Sequence, residues 1–184
     1  MIETKTLFLR QINLDDNKQV FDYRSDSEAN KYQGFIPKNL NEVNDFIQNS
    51  SLEINQPQSW FQLVIIKKST NEIIGDIGIH FIGNDGFQCE IGCTLSKIHQ
   101  GKGYATDAMK STIDFLFNSL NKHRITGSVD PENIESIRLL ERLKFRKEAH
   151  FKESLLIDGE WVDDVVYSIL KKDWNDNRLA TTKF

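Results

Sequence analysis

Apolar and polar residues alternate from Leu7 to Gln11, which predicts a short half-buried strand. Asn13 to Asp16 offers capping residues for a helix running through about Ser25. A polar stretch from Asn30 to Asn39 follows, and then a second helix with Val43, Phe46 and Ile47 on one face. Trp60 to Lys67 and Glu72 to Phe81 read as strands joined by the turn Ser69-Thr70-Asn71. Gly75 and Gly78 inside the later strand point to a bulge or a closely approaching neighbour. Gly83-Asn84-Asp85-Gly86 is a turn, and Phe87 to Leu95 is the next strand. A helix from about Thr106 turns Ala108, Ile113, Phe115, Leu116 and Leu120 toward a core. A strand at Arg124 to Val129 and a helix at Asn133 to Leu143 come next. Phe145 to Ile157 and Trp161 to Leu170 form a hairpin around Asp158-Gly159. The tail, residues 175–184, is polar and expected to fray.

Strand and helix do not alternate regularly in this order. The pattern predicts an α/β chain of the α+β type, with a mixed, largely antiparallel central sheet flanked by helices. Its 184 residues suit a single domain spanning 1–184, large enough for a real core. Repeats, low-complexity tracts and linkers are absent from the sequence.

A formal net charge of −4 without a basic block argues against nucleic acid as a partner. A mildly acidic surface suits a cationic amine. Met1 to Lys5 carries no apolar signal core, and no apolar run approaches a membrane span. A cytoplasmic protein without a membrane partner is therefore expected. Cys89 and Cys93 lie four apart on one strand, roughly 13 Å from each other, too far for a disulfide. They share a face with Ile91 and read as buried inert thiols. The histidines at 80, 99, 123 and 150 show no metal spacing with either cysteine, so no metal is expected.

The most informative segment is Gln100-Gly101-Lys102-Gly103-Tyr104-Ala105, between the strand ending at Leu95 and the helix from about Thr106. Glycines at 101 and 103 remove side chains where a ligand approaches the backbone. Loop and first-turn N–H groups converge at the positive end of the helix dipole, a site for a pyrophosphate. No Gly-Lys-Ser/Thr follows, so it is not a P-loop. The third glycine of a dinucleotide fingerprint is also missing.

This segment resembles the acyl-CoA loop of the GNAT N-acetyltransferases, Gln/Arg-x-x-Gly-x-Gly/Ala, with Gln100, Gly103 and Ala105 at the defining positions. Asn133-Ile134-Glu135-Ser136 and Leu143-Lys144-Phe145 look like that family's Asn-x-x-Ser helix and its Leu-Gly-Phe. Leu7-Phe8-Leu9-Arg10 and Gly159-Glu160-Trp161-Val162-Asp163 look like the opening strand and Gly-x-Trp-x-Asp hairpin of the RimJ/RimL-like branch. The resemblance covers about residues 5 to 174.

The resemblance implies a sheet whose fourth and fifth strands, here Phe87 to Leu95 and Arg124 to Val129, splay apart around a pantetheine arm. It implies acetyl-CoA as cosubstrate, held at its pyrophosphate by backbone N–H groups of Gln100, Gly101, Lys102, Gly103, Tyr104 and Ala105. Lys102 either adds charge or is a solvated surface lysine. Backbone groups near Cys93, Thr94 and Leu95 would pair with the pantetheine amides and polarise the thioester carbonyl. Asn133 would lie against the same arm, cap its helix, or do both.

Ser136 would protonate the departing thiolate, or else only hydrogen-bond the helix backbone. Glu90 stands where the family often has a carboxylate base. Simple alternation faces it away from Cys89 and Cys93, although a bulge would re-aim it. A water-relayed base and His80 are the rivals. Tyr32, Gln33, Phe35, Trp161 and Asp163 are candidates for the acceptor, against plain core packing for the aromatics.

The expected reaction is direct attack of a primary amine on the thioester. The acceptor is a protein N-terminal α-amine or a small amine such as a polyamine, aminoglycoside or amino-acid derivative. A homodimer is compatible with the branch. The rival functions are a non-catalytic acyl-CoA-binding module and a scaffolding protein. One residue departs from the family pattern: Lys144 stands where Leu-Gly-Phe has glycine, at a turn that favours positive φ.

Overall fold

The computed structural model describes residues 1–157 and 159–181, with side chains through residue 176. Asp158 and residues 182–184 therefore lie outside the described residues, together with the part of the turn and tail expectations that falls on them.

Eight strands form one sheet in the order β1-β2-β3-β4-β5-β6-β8-β7. They are β1 (Ile2–Glu3), β2 (Leu7–Gln11), β3 (Trp60–Lys67), β4 (Glu72–Ile82), β5 (Gln88–Leu95), β6 (Arg124–Val129), β7 (Arg146–Ile157) and β8 (Glu160–Leu170). Every neighbouring pair is antiparallel except β5 and β6, which run parallel. The helices are α1 (Asn17–Arg24), α2 (Leu40–Gln48), α3 (Tyr104–Asn118), α4 (Ile134–Arg142) and α5 (Lys171–Thr181). The mixed, largely antiparallel α/β architecture expected from the pattern is what forms.

Two apolar layers hold the sheet, one on each face. On one side Val64, Ile66 and Ile73 pack with Val20, Tyr23, Val43 and Ile47 of α1 and α2. On the other, Leu9, Ile65, Ile77, Ile79 and Ile91 pack with Met109, Ile113, Leu116 and Phe117 of α3. Truncating one such side chain to alanine typically costs about 2–5 kcal/mol. Period-two alternation in the strands makes both faces apolar in turn, so β3 and β4 are buried along most of their length.

The helix starts follow local chemistry. Asn13 caps a 3-10 turn at Leu14–Asp16 that leads into α1, so the α-helix itself begins later than its capping signal. Asn39 accepts from the Glu42 N–H at 3.1 Å and opens α2. The third helix begins at Tyr104, two residues before the expected Thr106, because Gly103 takes a left-handed conformation at φ 84°. Its buried face carries Met109 and Phe117 as well as Ala108, Ile113 and Leu116, while Phe115 and Leu120 are only half-buried.

Both readings of Gly75 hold. The β3–β4 register shifts between Ile65 and Ile66, and a Cβ on Gly75 would lie 2.2 Å from the Thr94 carbonyl oxygen. The backbone is helical from Lys171 to Thr181, and Trp174, just before the polar tail, is buried against Phe117.

Candidate active site

The parallel pair β5 and β6 stays joined only at Gln88↔Arg124, Cys89↔Ile125 and Glu90↔Thr126. Beyond those pairs the two strands diverge, as the family resemblance implies for this pair. A cavity of about 810 Å³ occupies the opening. Gly92, Cys93 and Thr94 of β5 line it, facing Gly127, Ser128 and Val129 of β6. Two edges that no longer hydrogen-bond to each other leave N–H and C=O groups available to an extended ligand arm.

Glu90 lies at the point of divergence and lines the cavity. The β4–β5 register runs unbroken from Gln88 to Leu95, so Glu90 needs no bulge to reach it. It shares a face with Thr94, while Cys89 and Ile91 point into the α3 layer. The cavity runs through the sheet opening and is therefore met from both faces. Burial, and secondarily the charge of Asp164, raises the Glu90 carboxyl above its ordinary range. A half-buried carboxylate of raised pKa is a stronger base toward an ammonium group. His80 pairs directly opposite Glu90, with its ring stacked on Trp60 at 4.7 Å.

Asn133 and Ser136 border the cavity from the start of α4. The Asn133 side-chain oxygen accepts from the Ser136 N–H at 3.2 Å, so Asn133 is the helix cap while also lining the cavity. Ser111 and Thr112 return their hydroxyls to helix carbonyls. Among the described residues the Ser136 hydroxyl makes no such bond, which leaves it available to a ligand.

The Gln100–Ala105 loop lies beyond the C-terminal end of β5, outside the cavity lining, and Leu95 is likewise absent from that lining. Gly101 and Gly103 both take positive φ, 72° and 84°. Gln100 spends its own N–H on the Lys97 carbonyl at 3.2 Å and its side-chain amide on the Leu95 carbonyl at 3.0 Å. The backbone donors left free in this loop therefore start at Gly101 rather than Gln100. Among the described residues the N–H groups of Gly101 through Ala105 have no protein acceptor. Exposed amides at a helix start suit a pyrophosphate. The Lys102 ammonium folds back onto the Ile98 carbonyl at 2.8 Å.

The segment between α1 and α2 closes the other end. Tyr32, Gln33 and Phe35 all line the cavity. Phe35 stacks on Phe46 at 4.6 Å, and Gln33 accepts from the Thr94 hydroxyl at 3.0 Å. Burial pushes the Cys89 and Cys93 thiols up to about 12, in Cys93 with help from the Asp76 charge; Cys89 is buried, whereas Cys93 is half-buried and lines the cavity, so the expectation of two buried thiols holds for Cys89 alone. No cluster of three potential metal ligands occurs among the described residues.

A family model of the acetyltransferase (GNAT) domain matches residues 6–146. The chain belongs to the GNAT acetyltransferases. The uncharacterized N-acetyltransferase p20 of Bacillus licheniformis is 35% identical over 173 residues, covering 93% of this chain and 96% of that protein. The [ribosomal protein uS5]-alanine N-acetyltransferase of Escherichia coli is 32% identical over 127 residues, 68% of this chain and 66% of that protein. The spermidine N-acetyltransferase of Vibrio cholerae, solved with CoA and spermine, superposes with a TM-score of 0.80 over 94% of this chain and 99% of that one. At 21% identity that likeness speaks for the fold alone. This is a GNAT N-acetyltransferase with RimJ-like relatives.

Two hairpin expectations change in this GNAT fold. Trp161 is exposed and absent from the cavity, because it pairs with Leu156 toward the hairpin tip. Asp163 lines the cavity, but its carboxylate is occupied by Lys152 at 2.7 Å, His150 at 2.8 Å and the Glu153 N–H at 2.9 Å. Those bonds hold Asp163 well below the usual carboxylate range and brace the irregular pairing between Phe151 and Leu155. The sequence reading also missed the buried cluster at the cavity wall. Asp76 accepts from Arg24 at 2.6 and 2.8 Å and from the Tyr23 hydroxyl at 2.5 Å. Arg24 in turn donates to the Phe35 carbonyl at 3.2 Å, which ties down the loop between α1 and α2. No local signal singles out Asp76, because its partners Tyr23 and Arg24 lie more than 50 residues away.

Proposed function

We propose that this GNAT enzyme transfers the acetyl group of acetyl-CoA to a primary amine by direct attack. The observation that carries this reading is the divergence of β5 and β6 beyond Glu90 and Thr126. It places the Asn133–Ser136 turn on one side of the cavity and Glu90 on another, with unpaired loop amides beyond the end of β5.

The amides of Gly101 through Ala105 hold the pyrophosphate, and the edge of β5 at Cys93, Thr94 and Leu95, which β6 no longer pairs, receives the pantetheine arm. A backbone N–H on that edge polarises the thioester carbonyl. Glu90 takes the proton that keeps the amine cationic. The amine nitrogen then bonds to the carbonyl carbon, and the carbon–sulfur bond breaks. Sulfur gains a proton from the Ser136 hydroxyl, which is restored through solvent by the second proton leaving nitrogen. No covalent acyl-enzyme forms, in keeping with two thiols held protonated by burial.

The acceptor on this reading is a protein N-terminal α-amine, in line with a relative named as acetylating an alanine of ribosomal protein uS5. The carboxylates of Glu42, Asp45, Glu90 and Asp164 around the cavity favour a small polyamine as a second reading.

Free-thiol release from acetyl-CoA tests the proposal. The panel contains peptides of differing N-termini, polyamines and aminoglycosides, with Ser136→Ala as control. Turnover that falls in Ser136→Ala while acetyl-CoA still binds supports both the reaction and the proton donor. Absence of acetyl-CoA binding sinks the assignment of the 101–105 loop.

A further inference from the structure

Asp163 and Asp164 are adjacent on β8 and do opposite things. Successive side chains on a strand leave by opposite faces. Asp163 is tied to residues of β7. Asp164 turns to β6, where its Oδ1 accepts from the Ser128 hydroxyl at 2.6 Å. Ser128 lies in the diverging part of β6, past the last ladder pair with β5. Asp164, Ser128 and Glu90 all line the same cavity.

We propose that Asp164 is the carboxylate that positions the acceptor. Anchored on Ser128 from β8, the strand on the far side of β6, it lines the same cavity as Glu90 and holds the incoming ammonium group while Glu90 removes its proton. This rests on the reading above that an amine is the acceptor. The step balances: R–NH₃⁺ gives one proton to the Glu90 carboxylate, leaving R–NH₂ and a neutral carboxyl, and no electrons are gained or lost. Solvent takes the proton back after the product leaves.

A second anion gives the ammonium a partner that stays charged after Glu90 has been neutralised. It also makes Glu90 harder to ionise and so more basic. Other ionisable groups face this region. His80 of β4 is opposite Glu90 and stacked on Trp60; Arg24 and Asp76 neutralise each other in the wall; Asp45 of α2 and Asp130 border the cavity. Burial, and after it the charge of Asp164, raises the Glu90 carboxyl.

Asp164→Asn tests the proposal, because the amide keeps the size and the oxygen that Ser128 bonds. The first readout is the Glu90 carboxyl carbon, titrated by NMR in the enzyme without acceptor. Its midpoint is expected to fall by about 0.5–1 pH unit. The acid limb of kcat/KM should move to lower pH in the same direction. KM for spermidine or an alanine-started peptide, whichever is turned over, should rise about tenfold, the loss of one charge-assisted hydrogen bond. Acetyl-CoA affinity by calorimetry should stay unchanged.

An unmoved Glu90 midpoint with an unmoved KM overturns the proposal. Asp163→Asn is the control and should lower Tm without moving the Glu90 midpoint. Ser128→Ala, which frees Asp164 from its anchor, replaces Asp164→Asn if that variant does not fold, and should raise KM. The NMR titration decides even if neither amine is turned over. Glu90→Gln separates the two readings: if it keeps the acid limb, the base assignment fails while the effect of Asp164 on KM still stands or falls alone.

Discussion

The Thr94 hydroxyl donates to the Gln33 side-chain oxygen at 3.0 Å, across 61 residues of chain. This bond joins the strand edge proposed to receive the pantetheine arm to the loop proposed to meet the acceptor. Thr94→Val keeps the shape of the β-branched side chain and removes the donor, at a cost of about 1 kcal/mol in stability. KM for the amine is expected to rise several-fold while the acetyl-CoA dissociation constant changes little. Separate titration of each substrate checks this, and equal weakening of both would contradict it.

Gly103 has φ 84° at the start of α3, and no atom lies within 4 Å of where its Cβ would be. Space is therefore not the constraint; the backbone conformation is. Gly103→Ala should strain the left-handed position by about 1–2 kcal/mol. Relaxing that strain would re-aim the loop amides. A loss of acetyl-CoA affinity of about tenfold is expected in calorimetry, larger than any effect on acceptor KM.

Lys144 sits at φ 68° just past α4, where the family pattern has glycine. The Phe145 N–H reaches back to the Leu140 carbonyl at 3.0 Å, the long bond of a Schellman end. Lysine thus adopts the conformation that glycine would take freely. Lys144→Gly relieves the strain but adds freedom to the unfolded chain, for a net gain of about 0.5–1 kcal/mol. Urea unfolding of the two proteins measures it.

Glu148 accepts from Arg124 at 2.5 and 3.2 Å. These bonds, and then one with Ser168, hold its carboxyl at about 2 against an ordinary 4.5. A depressed folded pKa gives stability that is present above the unfolded value and lost as pH falls through the folded one. The urea midpoint should therefore drop between pH 4.5 and about 2. Glu148→Gln should be less stable near neutrality and lose less across that window.

Much of the site was legible along the chain. Gly101 and Gly103 marked the loop before α3, where both take the positive φ that glycine favours. Asn133 and Ser136 announced themselves as a capped helix start. Asp164 did not, because adjacent carboxylates on a strand look alike until the partners of each face are known. Asp163, the one singled out, proved to brace the hairpin. Trp161 looked like a binding residue from its motif, yet its strand position keeps it out of the cavity.

Local chemistry thus determined the elements, their caps and turns, the glycine-rich loop before α3 and the family. Those properties depend on dihedral preferences and periodicity within about a dozen residues. Tertiary structure alone decided which faces meet across the sheet. It brought Asp76 to Arg24, Thr94 to Gln33 and Asp164 to Ser128, and it opened β5 from β6 after three paired positions. Those contacts join residues 36 to 61 positions apart, where burial and pairing energies, not local propensity, choose the partner.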